Sequence, residues 1–300
     1  MKIVIAGASG FVGSALTRSL LDAGHVVTGL GTSDAHPLGS MARFTWCTAD
    51  TTRAGDWQAA VGDADAVVNL AGRTIFKRWS RTYKAQMVDS RVLTTRNLVS
   101  AMNGENKILI STSAVGYYGS RGDQVLNEHS SPGTDFLARL SVDWEQAALE
   151  AGKRGVRVAI MRFGVVLDAG GGGLARMLPA FRMFAGGPLG RGRQWFSWIH
   201  MADLLSGVQF LIDHDNAQGS YNFCAPGTVR QKDFARALGS VLGRPALVPA
   251  PSLALRLMMG EMAGVLLASQ RVQPDRLLAD GFVFRFADVD SALEDLIGQS

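Results

Sequence analysis

Cysteine is nearly absent: the 300 residues hold only Cys47 and Cys224, far apart and without metal-ligand spacing. That excludes a disulfide-built scaffold and a cysteine metal site, and it suits a reducing cytosol. Prolines number nine against 35 glycines, which excludes a Pro-rich linker and points to tight turns. No uninterrupted apolar stretch reaches the ~18 residues of a membrane span. The nearest, residues 253–268, is broken by Arg256 and Glu261 and reads as an amphipathic core helix. The start, MKIVIAGASG, enters a strand directly and has no signal-peptide pattern. The net charge of +4 is spread out, with its densest cluster at Lys77, Arg78, Arg81 and Lys84, so no nucleic-acid stripe is present. A cytoplasmic protein without a metal, a nucleic-acid partner or a membrane partner is expected.

What is present is alternation. Short apolar strands at residues 2–6, 25–30, 44–48, 66–70, 107–111 and 156–162 alternate with helical patterns at 12–23, 81–102 and 138–151. Such alternation predicts an α/β fold, a Rossmann-type doubly wound parallel sheet. After residue 167 the alternation fails. Helical stretches at 174–184, 201–213, 231–242 and 253–267 predict a smaller, mostly helical C-terminal lobe over 168–300, with some chain crossing back to the 1–167 domain.

The first βα turn reads Gly7-Ala8-Ser9-Gly10-Phe11-Val12-Gly13. A buried strand precedes it and a helix follows, the context that a dinucleotide-binding loop requires. Gly7 permits the tight turn, Gly10 lets a diphosphate approach the backbone, and Gly13 allows close helix–strand packing. Ser9, Phe11 and Val12 complete the expected contact surface at the helix N-terminus. The second strand ends in Gly31-Thr32-Ser33, without the carboxylate that would receive ribose hydroxyls. Thr32 and Ser33, with Arg43 in reach, favour NADP(H) over NAD(H).

With Ala49-Asp50, Asn69-Leu70-Ala71-Gly72 and Ser111-Thr112-Ser113 at successive strand ends, the chain resembles the extended short-chain dehydrogenase/reductases. It is similar in particular to an atypical branch of the NAD-dependent epimerase/dehydratase family. That similarity rests on residues 90–95, 113–119, 136–145 and 192–200, and on a C-terminal module with GEMA at 260–263 and a Gln270-Arg271-Val272 run to Pro274. The resemblance implies that Asp50 meets the adenine and that Leu70, Ala71 and Gly72 lie along the cofactor. It also makes Ser111 a cofactor contact and brings the segment from Arg162 to Val165 to the nicotinamide.

In that superfamily a Ser polarises the substrate oxygen, and a Tyr with a Lys four residues later exchanges the proton. Ser113 is in place here, but Leu137 and Ser141 occupy the Tyr and Lys positions, and Arg91 replaces a supporting Asn. Tyr117 and Tyr118, just after Ser113, are the alternative acids, and Arg91 is the candidate for the missing positive charge. Arg191, Arg193 and Trp195 suit an anionic or nucleotide-linked substrate. His200 with Asp203 is a further base-and-orienter pair. Two readings stay open: an NADP(H)-dependent oxidoreductase or epimerase acting on a carbonyl or alcohol, and a catalytically silent NADP(H)-binding sensor. A homodimer through the helices at 81–102 and 138–151 is expected from the same resemblance.

Overall fold

The computed structural model describes residues 1–36 and 38–298. Its centre is one sheet of seven parallel strands. These are β1 (Lys2–Ala6), β2 (Val26–Gly31), β3 (Phe44–Thr48), β4 (Ala66–Asn69), β5 (Ile108–Ala114), β6 (Arg157–Phe163) and β7 (Gly219–Phe223). They lie in the order β3-β2-β1-β4-β5-β6-β7, with Ile3 paired both to Val27 and to Ala66. Successive side chains of β1 point to opposite faces, so Ile3 and Ile5 enter one core and Val4 and Ala6 the other. Helices α1 (Phe11–Asp22), α2 (Arg81–Ala101), α3 (Phe136–Leu149), α4 (Gly172–Arg182) and α5 (Met201–Asp213) follow in chain order. Leu16 and Leu20 of α1 pack with Leu204 and Val208 of α5 on the first face. Leu98 of α2 and Ala148 of α3 close the second. Winding reverses between β1 and β4, which opens a crevice at their C-terminal ends, where sheets of this kind hold ligands.

Helices α6 (Gln231–Val241), α7 (Ser252–Met259) and α8 (Val289–Ile297) belong to the C-terminal half. Leu174 and Phe181 of α4, Phe234 and Leu238 of α6 and Leu293 of α8 form a separate core there. Three features tie this half to the rest of the chain. Strand β7 joins it beside β6, residues 271–272 pair with 125–126, and the Asp203 carboxylate accepts the N–H groups of Arg285 and Phe286 at 2.7 and 3.0 Å.

The sequence pattern did not foretell β7, because Gly219, Ser220 and Asn222 interrupt its apolar signal. The single helix expected over 253–267 is also corrected. Gly260, at φ +63°, breaks it into α7, a 3-10 turn at Gly260–Met262 and a short helix at Ala263–Leu267. None of α7's residues is buried, so its apolar content is not core.

Candidate functional site

The glycine loop forms a cradle at the crevice. Gly7 has φ +83°, and a Cβ there would meet the Leu70 and Ala71 backbone at 3.0 Å. A Cβ on Gly13 would lie 2.2 Å from the Gly7 carbonyl oxygen, so only glycine lets α1 dock this closely. Gly10 caps α1 without a side chain, and its first turn holds no acidic residue. The N–H groups of Phe11, Val12 and Gly13 therefore face the crevice with the helix dipole behind them, which fits a diphosphate. The Phe11 ring is covered by the 168–173 loop, where a Cβ on Gly171 would collide with it at 2.3 Å.

At the adenosine end, Ser9 Oγ lies 3.2 Å from where a Gly31 Cβ would stand. Trp46 and Thr48 of β3 donate to the Ser33 carbonyl at 3.1 and 3.0 Å, fixing the loop while the Thr32 and Ser33 side chains stay exposed. His36 accepts the Leu38 N–H through Nδ1, so its Nε2–H donates to the Ala8 carbonyl at 2.9 Å and ties this loop to the cradle. Asp50 is exposed at the end of β3. Hydrogen bonds from Thr52, with help from Arg53, hold its carboxyl below the usual range. Arg43 is a correction: its guanidinium donates to Leu21 and Gly24 carbonyls at the far end of α1, away from Thr32 and Ser33.

Leu70, Ala71 and Gly72 border the cradle. Asn69 shapes their turn by accepting the Ala71 N–H and donating to Thr95 at 2.8 Å. Ser111 is buried below that turn, 3.5 Å from the Asn69 amide. Arg91 packs under Gly72 and donates to the Arg73 and Met87 carbonyls, with its guanidinium 5.1 Å from the Trp144 ring. Its burial lowers the guanidinium's proton affinity below the ordinary arginine value. Arg91 thus buttresses the turn.

Beyond Ser111, the expected catalytic groups form a closed network. Ser113 is 1% exposed and donates to Glu145 Oε1 at 2.6 Å. Arg162, also buried, grips both oxygens of Glu145 at 2.8 and 2.7 Å. Burial alone would lower the affinity of Arg162 for its proton, but the paired carboxylate raises it above the ordinary value. A third guanidinium N–H meets the Tyr118 hydroxyl at 2.9 Å, and that hydroxyl donates to Asn222 at 2.7 Å. Tyr118 is fully buried, and burial pushes its phenol up. Tyr117 differs. Its partly buried ring lies 3.6 Å from the Arg162 guanidinium, and among the described residues no protein group bonds its hydroxyl. Arg162 is therefore held within the sheet's own polar network, and Ser113 and Tyr118 with it.

The sequence pattern did not point to Glu145 or Asn222. The signal for Glu145 was available: it falls on α3's inward stripe with Ala138, Ser141 and Ala148, where an acid needs a buried partner.

Trp195 shares no direct hydrogen bond with this network among the described residues. Its indole N–H donates to Asp123 at 3.1 Å, and its ring sits between Arg230 and Arg271 at 4.1 and 4.4 Å. Arg191 and Arg193 are exposed. His200 caps α5 by accepting the Ala202 N–H, and Asp203 is occupied by Arg285 and Phe286. The base-and-orienter expectation for that pair is thereby corrected to a capping and pinning role. On the crevice's open side, Trp79 packs edge-on against Phe136 and Lys84 pairs with Glu261 of the C-terminal half.

Residues 3–224 match the NAD dependent epimerase/dehydratase family, and residues 250–296 match a domain of unknown function, DUF1731. An Arabidopsis thaliana protein described as a chloroplastic homolog of epimerase family protein SDR39U1 is 39% identical, across 99% of this chain and 87% of its own length. Epimerase family protein MT2273 of Mycobacterium tuberculosis is 41% identical, across 97% of this chain and 96% of its own. The crystal structure of human epimerase family protein SDR39U1 with NADPH superposes with a TM-score of 0.87 at 30% identity, covering all of both chains.

Proposed function

We infer that this chain, which belongs to the NAD dependent epimerase/dehydratase family, is an NADP(H)-dependent oxidoreductase or epimerase acting on a carbonyl or alcohol. Phosphate preference is supported by the open, carboxylate-free end of β2 and by the NADPH in the human relative's structure. The cradle from Gly7 to Gly13 would hold the diphosphate, Asp50 the adenine, and Thr32 and Ser33 the 2′-phosphate. When bound, the nicotinamide supplies or takes the hydride.

One observation carries the assignment of the acid: of Ser113, Tyr117 and Tyr118, only Tyr117 has a hydroxyl without a protein partner among the described residues. Tyr117 gives its proton to the substrate oxygen as the alcohol forms and takes it back in the reverse direction. The Arg162 guanidinium under its ring places positive charge where the phenolate develops. Ser113 holds Glu145 and Arg162 in position beneath it.

The silent NADP(H)-binding sensor is favoured by a different observation, the commitment of Ser113 and Tyr118 to the closed network. NADPH titration followed by a carbonyl-substrate panel separates the two. Turnover abolished in Tyr117→Phe with NADPH affinity retained supports the enzyme. Tight NADPH binding with no oxidation across the panel supports the sensor.

A further inference from the structure

Helix α7 presents the wrong face to water. Leu255 and Met259 turn inward and are half-buried, whereas Leu253, Leu257 and Met258 on the outward side are 69–77% exposed. A surface helix ordinarily carries polar residues there. The patch extends beyond the helix. Leu247, 80% exposed, precedes it, and Val248 hydrogen-bonds to Gly186 beside Phe184, which is 56% exposed. The Arg244 guanidinium sits 4.5 Å from the Phe184 ring, and Gly190 bonds to Ala250 just ahead of α7. Residues 182–193 and 244–258 thus form one contiguous apolar surface.

Within the two segments the charge has one sign. Those two segments contain Arg182, Arg191, Arg193, Arg244 and Arg256, all exposed, and not one Asp or Glu. We propose that this face docks the protein on an anionic phospholipid bilayer. The leucines and Met258 enter the acyl boundary while the arginines meet headgroup phosphates. Absence of a spanning helix, which led the sequence reading to expect no membrane partner, does not bear on such a contact, because a surface-lying element spans nothing. A second copy is the poorer occupant, since a two-fold contact would set these arginines against their own like. The apolar side chains protrude rather than line a groove, and fluid hydrocarbon needs no complementary shape.

The test is flotation of the intact protein with vesicles of phosphatidylcholine alone and of phosphatidylcholine mixed with phosphatidylglycerol. The expected result is recovery with the phosphatidylglycerol vesicles only, lost in Leu253→Glu/Leu257→Glu and reduced by added salt. Arg244→Gln and Arg256→Gln should each weaken partitioning about five-fold, the change that ~1 kcal/mol per basic residue gives. None of these side chains is buried, so melting temperature and NADPH titration should match the parent protein. No recovery with phosphatidylglycerol vesicles, or recovery unchanged in the Leu and Arg variants, overturns the proposal. So does a dimer that Leu253→Glu/Leu257→Glu dissociates without any vesicle binding.

Discussion

Ser113 donates its hydroxyl proton to Glu145 across 2.6 Å, and the same carboxylate is gripped from its other side by Arg162. The two partners differ in consequence. Replacing Glu145 by Gln leaves a buried guanidinium without its counter-charge, which costs about 3–5 kcal/mol. Ser113→Ala removes one hydrogen bond to a charged group, about 1.5–3 kcal/mol. Urea denaturation should therefore rank Glu145→Gln well below Ser113→Ala. Equal losses would mean that the ion pair is not the network's anchor.

Gly13→Ala should fold with a loss of about 1–3 kcal/mol from overpacking, because its Cβ must displace the Gly7 carbonyl from 2.2 Å. The displaced group belongs to the cradle, so NADPH affinity should fall more than stability does. Calorimetric titration alongside thermal melts reads both, and an unaltered NADPH affinity would remove the cradle from the binding site.

Thr32→Asp places a carboxylate at the open end of β2. It should weaken NADPH binding roughly ten-fold or more, corresponding to at least ~1.4 kcal/mol of repulsion from a 2′-phosphate, and leave NADH binding equal or improved. If both nucleotides respond alike, the 2′-phosphate lies elsewhere.

His200 sets an acid limb to stability. Burial holds its imidazole below the ordinary 6.5, against the opposing pull of Asp295 and Asp203. The unfolded chain therefore takes up its proton first. Stability should be full above about pH 6.5 and decline as pH falls, until the folded imidazole titrates. His200→Asn keeps a capping acceptor for the Ala202 N–H and should flatten this decline in melts recorded from pH 7 down to about 5. A slope identical to the parent's would assign the acid limb to other groups.

The cradle was legible because its chemistry is local: glycines at fixed offsets between a strand and a helix announce themselves. Six strands were legible for the same reason, being short apolar or alternating runs. Strand β7 was not, since Asn222 is buried in it as a hydrogen-bond acceptor for Tyr118, and a polar residue in a strand looks like a loop. The Ser113 network was half legible. Ser113, Tyr117 and Tyr118 follow one another along the chain, but their partners Glu145, Arg162 and Asn222 come from α3, β6 and β7. Which hydroxyl stays free depends on those distant groups. Residues 253–267 misled for the opposite reason, since apolar periodicity reports a helix without saying which side faces the protein.

The late position of β7 bears on how the chain emerges from the ribosome. Strand β6 is completed at Phe163 but gains its outer neighbour only when Gly219–Phe223 has been made, and residues 125–126 wait for 271–272. Until then a buried-type strand presents an open edge, the feature that recruits foreign strands. A nascent chain is thus exposed to mispairing at this edge while residues 164–223 are made, and the pairing of residues 125–126 closes later still. Ribosome stalling before residue 219 should leave β6 a target for chaperones, whereas stalling after residue 273 should not.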